Sequence, residues 1–351
     1  MDKWRGILFA IGRPFSPVYA FAMMVRAFLY RQGILPSTRL QVPVVSVGNL
    51  SMGGTGKTPL VMCVARHLLE HGHRPAIVSR GYGGKARGRV NVVSDGHGVK
   101  MTPAMAGDEP WLLAAAMPEV PVLTGSARAA VARWALKKTN ADVVIMDDGF
   151  QHLALARDLD IVLFNVRSPL DAARVFPGGE LRESFRALKR AGAVVITGVD
   201  HRTEERAHAF KRFLRERAPQ APVFFGEYLP VCLLYSGHRD VFPIDQAKRM
   251  KLCGFCGIGN PPSFRETLAK EGYEVVGFRA FRDHHPYSGK DVTALVAWAK
   301  AQGAQGLITT EKDFVKLKPF FGDFPVLALK VELFMEENFE FFLADRLNSF
   351  F

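Results

Sequence analysis

The most constraining stretch of this chain is a short apolar run followed by a glycine-rich turn. Residues 42–47 predict a strand, residues 57–71 predict an apolar helix, and Ser51 stands where the strict motif has glycine. The turn ends with Gly53, Gly54, Thr55, Gly56, Lys57 and Thr58. Glycines let backbone N–H groups face phosphate oxygens, while the lysine reaches the β- and γ-phosphates and the threonine hydroxyl suits Mg²⁺. Strand before and helix after complete the context, so these six residues are predicted to bind nucleotide phosphates.

Short β-branched runs alternate with helical patterns from residue 41 to about residue 225. Further strands are predicted over 75–79, 120–124, 142–146, 160–165, 193–197 and 223–225, and further helices over 109–116, 126–138, 180–190 and 203–217. Such alternation is typical of an α/β fold with a mostly parallel sheet and helices on both faces. The predicted class is P-loop NTPase-like. Ligands of such sheets gather beyond the carboxyl ends of the strands.

Two acidic residues follow the predicted strand at 142–146. An apolar run that ends in Asp147, downstream of the glycine-rich turn, is the Walker B arrangement, in which the aspartate holds Mg²⁺ directly or through water. Asp148 is a second candidate, either for a second metal or for a position next to the first. Together with Thr58 they are the predicted metal ligands.

A third acid, Asp108, lies in an acidic turn before the helix predicted at 109–116. With Asp147 and Asp148 assigned to metal, it is the carboxylate best placed to act as a general base, and capping of the helix is the alternative. His284 and His285 follow Asp283 in the C-terminal part, and one of them is predicted to assist the base. Metal binding by these histidines is less favoured, because no third histidine has ligand spacing.

Three arginines lie in loops at the expected ligand edge of the sheet. They are Arg80, Arg128 and Arg182. A planar guanidinium binds phosphate oxygens in pairs, so the three suit a substrate that already carries phosphate, although each alone is more often a solvated surface residue. Tyr82 and Glu183 lie in the same segments, and His152 ends the segment that begins with Asp147; all three are predicted to bind the substrate with the arginines.

The N-terminal segment is basic and apolar at once, in a chain of net charge +12. Such a charge favours anionic partners. A membrane-spanning helix needs about 20 apolar residues. The longest charge-free stretch here, between Arg13 and Arg26, has 12 residues and two prolines. We therefore expect a helix over about 17–32 that lies in the membrane interface, with packing on the protein's own core as the alternative.

Three parts are predicted along the chain. Residues 1–36 form the membrane-associating segment, residues 37–226 the P-loop core, and residues 227–351 a smaller C-terminal α/β domain. Four cysteines indicate a reducing compartment rather than a disulfide scaffold. Cys253 and Cys256 form a C-x-x-C in an apolar run, for which a structural role is favoured over a redox or metal role.

Taken together, these segments resemble the tetraacyldisaccharide 4′-kinases, the lipid A 4′-kinases of Gram-negative bacteria. The matching segments are 48–59, 79–83, 107–110, 147–152 and 283–287, with a weaker match at 309–313. The resemblance implies transfer of the γ-phosphate of ATP to the 4′-hydroxyl of a tetraacylated glucosamine disaccharide 1-phosphate, the lipid A precursor. The product is lipid IVA, an intermediate of lipopolysaccharide biosynthesis. The implied location is the cytoplasmic face of the inner membrane, with peripheral or monotopic attachment. We also expect a monomer with no nucleic-acid partner.

Three other functions compete with this interpretation. A regulatory or cargo-inserting ATPase of the deviant P-loop kind carries a second lysine where this chain has Met52. A GTPase would need an Asn-Lys-x-Asp element, whose spacing Glu311-Lys312-Asp313 lacks. A nucleic-acid-binding module would explain the high pI, but basic residues are not interleaved with aromatic ones in a surface motif.

Overall fold

The computed structural model describes residues 3–52, 55–168, 174–236, 241–242, 244–283, 285–317, 320, 322–348 and 350. The chain divides into two compact units, residues 1–228 with 333–351 and residues 229–332. The first change of unit lies two residues from the predicted boundary at 226/227. The chain end differs from the expectation, because residues 333–351 return to the first unit instead of completing the C-terminal domain.

The first unit begins with two helices and continues with alternating strands and helices. In chain order they are α1 Lys3–Gly12, α2 Ser16–Arg31, β1 Val44–Asn49, α3 Lys57–Glu70, β2 Pro75–Ser79, β3 Asn91–Asp95, α4 Pro103–Ala106, α5 Asp108–Ala116, β4 Pro121–Thr124, α6 Arg128–Lys138, β5 Val143–Asp147, β6 Leu159–Asn165, β7 Ala193–Thr197 and α7 Glu204–Arg217. The strand β8, Val223–Tyr235, carries the chain across the unit boundary. Helix α12, Glu337–Asn348, completes the first unit.

The sheet of the first unit has the order β8-β7-β6-β1-β5-β2-β4-β3. Its pairs are parallel except at the edge, where β3 runs antiparallel to β4. Strands β1, β2, β5 and β7 are buried along their whole length, as expected for a sheet covered on both faces. The predicted α/β class is confirmed, and β1 with its phosphate-binding turn lies between β5 and β6.

The C-terminal helix α12 belongs to the first unit because its apolar face completes that core. Phe339, Leu343 and Leu347 are at most 2% exposed, and the Phe339 ring lies 5.2 Å from that of Phe224. Burying three large apolar side chains contributes roughly 1.5–3 kcal/mol each before the entropic cost of ordering them. The sequence pattern did not predict this helix.

The second unit is a smaller α/β unit, as predicted. Its elements are β9 Val241–Phe242, α8 Ile244–Ala247, β10 Lys251–Cys256, α9 Pro261–Lys270, β11 Glu274–Ala280, α10 Gly289–Ala301, β12 Gly306–Thr310, α11 Glu311–Leu317 and β13 Val326–Met335, the last of which ends in the first unit. Strand β10 pairs in parallel with β11 and β12. Cys253 and Cys256 are free, buried thiols in the apolar core, which agrees with the structural interpretation of the C-x-x-C.

Helices α1 and α2 form an exposed apolar surface, which we call the N-terminal apolar surface. Leu8, Ile11, Val18 and Phe21 are each more than 60% exposed. The helical run from Gly6 to Arg31 covers 26 residues and is long and apolar enough to cross a membrane, with 6% of its most apolar window buried. This run is longer than the 12-residue charge-free stretch because the helical path includes Arg13 and both prolines. The helical path continues through residues 13–15 as a 3₁₀ turn. Pro14 is tolerated there because the backbone N–H that it lacks would have no partner in the first turn of a helix.

A predicted α-helix over 180–190 is wrong. Leu181 forms an isolated antiparallel bridge with Ser51 beside the phosphate-binding turn. On either side of it, Arg182 N–H donates to the Leu50 carbonyl and Met52 N–H donates to the Glu180 carbonyl, each at 2.7 Å. Only a 3₁₀ helix, Phe185–Arg190, follows. Pairing with the turn competes with helix formation here and fixes Arg182 near the end of β1.

Candidate active site

The phosphate-binding turn is held by polar side chains at the ends of β1 and β7, the strands on either side of β6. Asn49, the last residue of β1, donates its side-chain amide to Thr55 Oγ1 at 2.9 Å, and Thr197 Oγ1 of β7 donates to the Thr55 carbonyl at 2.8 Å. Gly56 has a φ of +88°, a left-handed conformation that favours glycine. Lys57 and Thr58 open α3, whose first N–H groups have no partner within the helix. Gly53 and Gly54 lie outside the described residues.

Asp147 ends β5, directly beside β1. Its carboxylate is 1% exposed; Oδ2 accepts a hydrogen bond from Ser79 Oγ at 3.0 Å, whereas Oδ1 has no hydrogen-bond partner among the described residues. Burial, reinforced by the charge of Glu109, raises the pKa of Asp147 to about 6. An acid in this state is costly to ionise unless a cation lies close to it.

Asp148 gathers the cationic side chains of the site. Its carboxylate accepts two hydrogen bonds of 2.9 Å from Arg182 Nη1, and its Oδ1 lies 3.6 Å from Lys57 Nζ. Burial would raise the pKa of Asp148, but Lys57 and Arg182 outweigh it, so the pKa is lowered and the group is ionised. One carboxylate therefore holds two of the predicted phosphate-binding cations in place.

Asp148 also has an unusual backbone. Its φ of +54° makes it the one described non-glycine residue with positive φ. Arg128, 5% exposed at the start of α6, donates to the Asp148 carbonyl at 2.7 Å and fixes this conformation. Strained backbone of this kind persists where the surroundings hold it in place, and it is concentrated at functional sites.

The segment after Asp148 returns to β1 and reaches the N-terminal helices. Gln151 donates its side-chain amide to the Asn49 carbonyl at 3.0 Å and lies 3.4 Å from Arg182 Nη1, and its own carbonyl accepts from Arg26 Nη1 of α2 at 3.2 Å. The next residue, His152, has its pKa lowered to about 4 by burial and by nearby arginines such as Arg128. His152 is therefore neutral near pH 7.

Asp108 is the first residue of α5, next to the loop that carries Arg80 and Tyr82. Gly107, with a φ of +93°, occupies the N-cap position, and a Cβ there would lie 2.5 Å from the Tyr82 carbonyl. Gly84 is packed equally closely against Met105 and Ala106. The helix cap is therefore Gly107 rather than Asp108. Two loops of this unit meet here, with Tyr82 78% exposed.

Glu183 is more deeply buried than expected for a side chain that contacts substrate. It is 4% exposed and accepts two hydrogen bonds of 3.0 Å from Arg190, whose guanidinium lies over the Phe150 ring at 4.6 Å. This pair anchors the segment that carries Arg182. A direct contact of Glu183 with substrate stays a prediction.

The predicted histidines belong to the second unit, so the structure does not test their pairing with Asp108. His285 Nε2 lies 3.7 Å from Asp291 Oδ1, and its ring packs against Phe281 and Tyr287. His284 lies outside the described residues. No group of three or more His, Cys, Asp or Glu side chains among the described residues is arranged to hold a metal ion.

Three contributors were missed from the sequence. Ser79 hydrogen-bonds Asp147, Gln151 links β1 to α2, and Thr197 supports the phosphate-binding turn. Ser79 and Thr197 end their strands and Gln151 follows the end of β5 by four residues, so a position at or near a strand end is the signal that could have identified them. Polar residues at strand ends are common, and only tertiary contacts distinguish these three.

The fold and site define an enzyme of the P-loop kinase class. The model of the family described as Tetraacyldisaccharide-1-P 4′-kinase matches residues 8–348. The chain therefore belongs to the tetraacyldisaccharide-1-P 4′-kinase family.

Similar proteins cover nearly the whole chain. A tetraacyldisaccharide 4′-kinase of Desulfotalea psychrophila is 44% identical over 346 residues, which is 99% of each chain. One of Syntrophus aciditrophicus is 42% identical over 87% of this chain and 83% of its own. The crystal structure of the "apo" form of LpxK from Aquifex aeolicus in complex with ATP superimposes with a TM-score of 0.76 at 34% identity, covering 96% of this chain and 98% of that one.

Proposed function

We propose that this kinase transfers the γ-phosphate of ATP to the 4′-hydroxyl of a tetraacylated glucosamine disaccharide 1-phosphate, giving lipid IVA. The observation that carries the proposal is the convergence of Lys57, Asp147, Asp148 and two arginines at one edge of the sheet. The names of the relatives specify the acceptor, and ATP is the nucleotide bound to the Aquifex protein.

The nucleotide is bound by the turn from Gly53 to Thr58. Backbone N–H groups of this turn and of the first turn of α3 are donors for phosphate oxygens, and Lys57 neutralises charge on the transferred group. Lys57 and Arg182 are already assembled on Asp148, so little rearrangement is needed to bring them to a phosphate. Preorganised cations of this kind stabilise the developing charge of the transition state.

A Mg²⁺ ion bound here would supply positive charge against the phosphate oxygens. The residues of this site fit such an ion: Asp147 Oδ1 is buried with no hydrogen-bond partner among the described residues, and Thr58 is at the start of α3. The raised pKa of Asp147 marks a carboxylate that an adjacent cation would ionise. Asp148 is engaged by Lys57 and Arg182, which leaves Asp147 and Thr58 as the stronger of the three predicted ligands.

Asp108 accepts the proton of the sugar hydroxyl, which is a weak nucleophile at neutral pH. Its place at the start of α5 supports this role, because Gly107 already occupies the cap position. His285 or His284 holds the carboxylate in orientation and shares the proton.

The disaccharide is gripped by Arg80, Tyr82, Arg128 and Arg182, with neutral His152 as a hydrogen-bonding group. Arg128 is buried and fixed on the Asp148 carbonyl, which gives it one orientation. A fixed guanidinium loses little conformational entropy when it binds a phosphate or a sugar oxygen. Tyr82 is the exposed member of the set.

The N-terminal apolar surface attaches the enzyme to the cytoplasmic face of the inner membrane, where the lipid acceptor lies. Ser16, near the middle of the apolar run, donates to the Val175 carbonyl at 2.7 Å and accepts from Gly178 N–H at 2.8 Å. A helix whose middle is hydrogen-bonded to a loop cannot have lipid on all sides. These contacts favour a helix that lies in the interface over one that spans the bilayer, and a monomer is sufficient for this arrangement.

The test is phosphate transfer from [γ-³²P]ATP to purified tetraacyldisaccharide 1-phosphate in detergent micelles. We expect a labelled lipid whose phosphate is located on the 4′-oxygen by NMR, and no labelling with the Lys57→Ala enzyme. ATP hydrolysis without labelled lipid, or phosphate on another hydroxyl, would refute the proposal. Retention on anionic vesicles but not on DNA at moderate salt separates it from a nucleic-acid-binding function.

A further inference from the structure

Tyr228 lies beneath the phosphate-binding turn, at the last position of the first unit before the chain enters the second. Its hydroxyl occupies the space that a Cβ on Gly56 would need. Burial raises the pKa of Tyr228 to about 12, partly offset by a hydrogen bond with Thr197, so the phenol keeps its proton at physiological pH. None of the site motifs includes this residue.

The partner of Tyr228 is the same threonine that supports the turn from below. Thr197 is fully buried, and its hydroxyl reaches both the Thr55 carbonyl at 2.8 Å and the Phe164 carbonyl at 3.3 Å. Tyr228 and Thr197 thus contact consecutive residues of the turn, Gly56 and Thr55. These contacts come from β8 and β7, strands that carry none of the predicted site residues.

Gly56 explains why the contact matters for function. Its backbone has a φ of +88° and directly precedes Lys57, so the direction of the Gly56 peptide sets where α3 and the lysine begin. A turn built of flexible glycines has many conformations, and only those with N–H groups converging on one point bind phosphate well. Side chains that block the alternatives raise the population of the competent one.

We propose that Tyr228, acting with Thr197, is a positioning residue that holds the Thr55–Gly56 segment in its phosphate-binding conformation. The inference rests on the proposed role of Lys57 and its turn at the nucleotide. In this role both hydroxyls act through the turn. Tyr228 also ties the turn to the strand that leads into the second unit.

The test measures steady-state kinetics of the full-length enzyme in detergent micelles. Tyr228→Phe is expected to raise KM for ATP about 3- to 10-fold, the usual net worth of one hydrogen bond, with KM for the lipid acceptor unchanged. Thr197→Val should act in the same direction, and Thr197→Ser should restore the wild-type value. In the double variant the two effects should combine to less than their product, because both hydroxyls act on one turn.

A matched control is available in the second unit. Tyr273 is a buried tyrosine whose hydroxyl lies 3.5 Å from the Ile244 carbonyl. Tyr273→Phe should leave both KM values unchanged while lowering Tm as much as Tyr228→Phe does. An unchanged KM for ATP in Tyr228→Phe, or an equal rise of both KM values with a larger loss of Tm, would overturn the positioning role.

Failure of this inference can be told from failure of the proposed site. Loss of turnover in Lys57→Ala combined with wild-type kinetics in Tyr228→Phe would reject only the positioning role. Near-normal turnover in Lys57→Ala would reject the site itself, and the inference with it.

Discussion

The site around Asp148 and the N-terminal apolar surface depart in opposite ways from the usual pattern of a folded protein, in which apolar side chains are buried and charged ones are exposed. At the site, charged groups are inside: Asp147 is 1% exposed and Arg128 is 5% exposed. At the apolar surface, Val18 and Phe21 are more than 60% exposed. Both arrangements cost free energy in water. Buried charges lose their hydration, and exposed apolar side chains are unfavourably hydrated.

The difference shows that each region is shaped for a partner of its own kind. A partly neutralised cluster with an acid of raised pKa suits a polyphosphate with its cation, whereas an uncovered apolar helix suits lipid. The two regions are also connected, because Arg26 of α2 contacts Gln151, which contacts the end of β1. Variants that damage one region and leave the other intact therefore test the account most sharply.

The largest effect is expected from Lys57→Ala. Removing the cation that neutralises the transferred phosphoryl group should lower kcat by on the order of 10³-fold or more. Membrane attachment should be unaffected. The measurement is γ-phosphate transfer in micelles alongside vesicle flotation. Lys100→Ala is the control, since Lys100 forms only an exposed pair with Asp95 at 3.1 Å. Near-normal turnover of Lys57→Ala would exclude this lysine from the site.

A base at Asp108 predicts the next effect. Asp108→Ala and Asp108→Asn should each lower kcat by roughly 10²–10⁴-fold with nearly unchanged ATP affinity. Asparagine keeps the shape and hydrogen-bonding capacity of a capping residue but cannot accept the proton. If Asp108→Asn keeps kcat and Asp108→Ala loses only Tm, the residue stabilises the helix start and the base must be sought elsewhere.

The apolar surface is tested by Leu8→Ser with Phe21→Ser. Each exposed side chain that inserts into lipid contributes roughly 1.5–3 kcal/mol, so vesicle partitioning should fall by on the order of tenfold per residue, with ATP affinity unchanged. Phe341→Ser is the matched control, because Phe341 is 75% exposed on α12, away from these helices in the chain. Equal loss of partitioning in the control would place the anchor on another surface.

The smallest effect concerns pH and stability. The pKa of His152 is lowered to about 4 in the folded protein from the ordinary histidine value of about 6.5, so between these values the unfolded chain binds a proton that the folded chain does not. Its contribution to stability is complete above about pH 6.5 and is lost as the pH falls toward 4. His152→Gln should therefore reduce the drop in Tm between pH 7.5 and pH 5. His97→Gln, at an exposed turn, should keep the wild-type drop.

Local patterns predicted most of the first unit. The strands at 75–79 and 193–197 have the predicted bounds, and the turn before α3 and the acids after β5 lie side by side, as neighbouring parallel strands require. These features follow from the spacing of apolar residues and from the polar residues at the ends of strands, both of which can be read locally in the sequence.

What the sequence could not predict depends on distant contacts. Residues 180–182 are not helical because they hydrogen-bond to Leu50 and Met52, and α12 belongs to the core of the first unit because Phe339 packs against Phe224. Neither partner is near in sequence. The engagement of Asp148 by Lys57 and Arg182 is likewise a product of three separate loops, and residue type alone could not distinguish it from metal binding.

The most direct test of the central claim measures phosphate transfer, ATP affinity and vesicle flotation on the same two variants. Lys57→Ala should float with anionic vesicles as the wild type does while losing phosphate transfer. The Leu8→Ser and Phe21→Ser double variant should keep wild-type ATP affinity while remaining in the unbound fraction. Each variant would then lose one property and keep the other, as a buried phosphate site and a separate lipid-facing surface predict. If either variant loses both properties, with Tm and CD spectrum unchanged, the two regions do not serve separate partners and the account is contradicted.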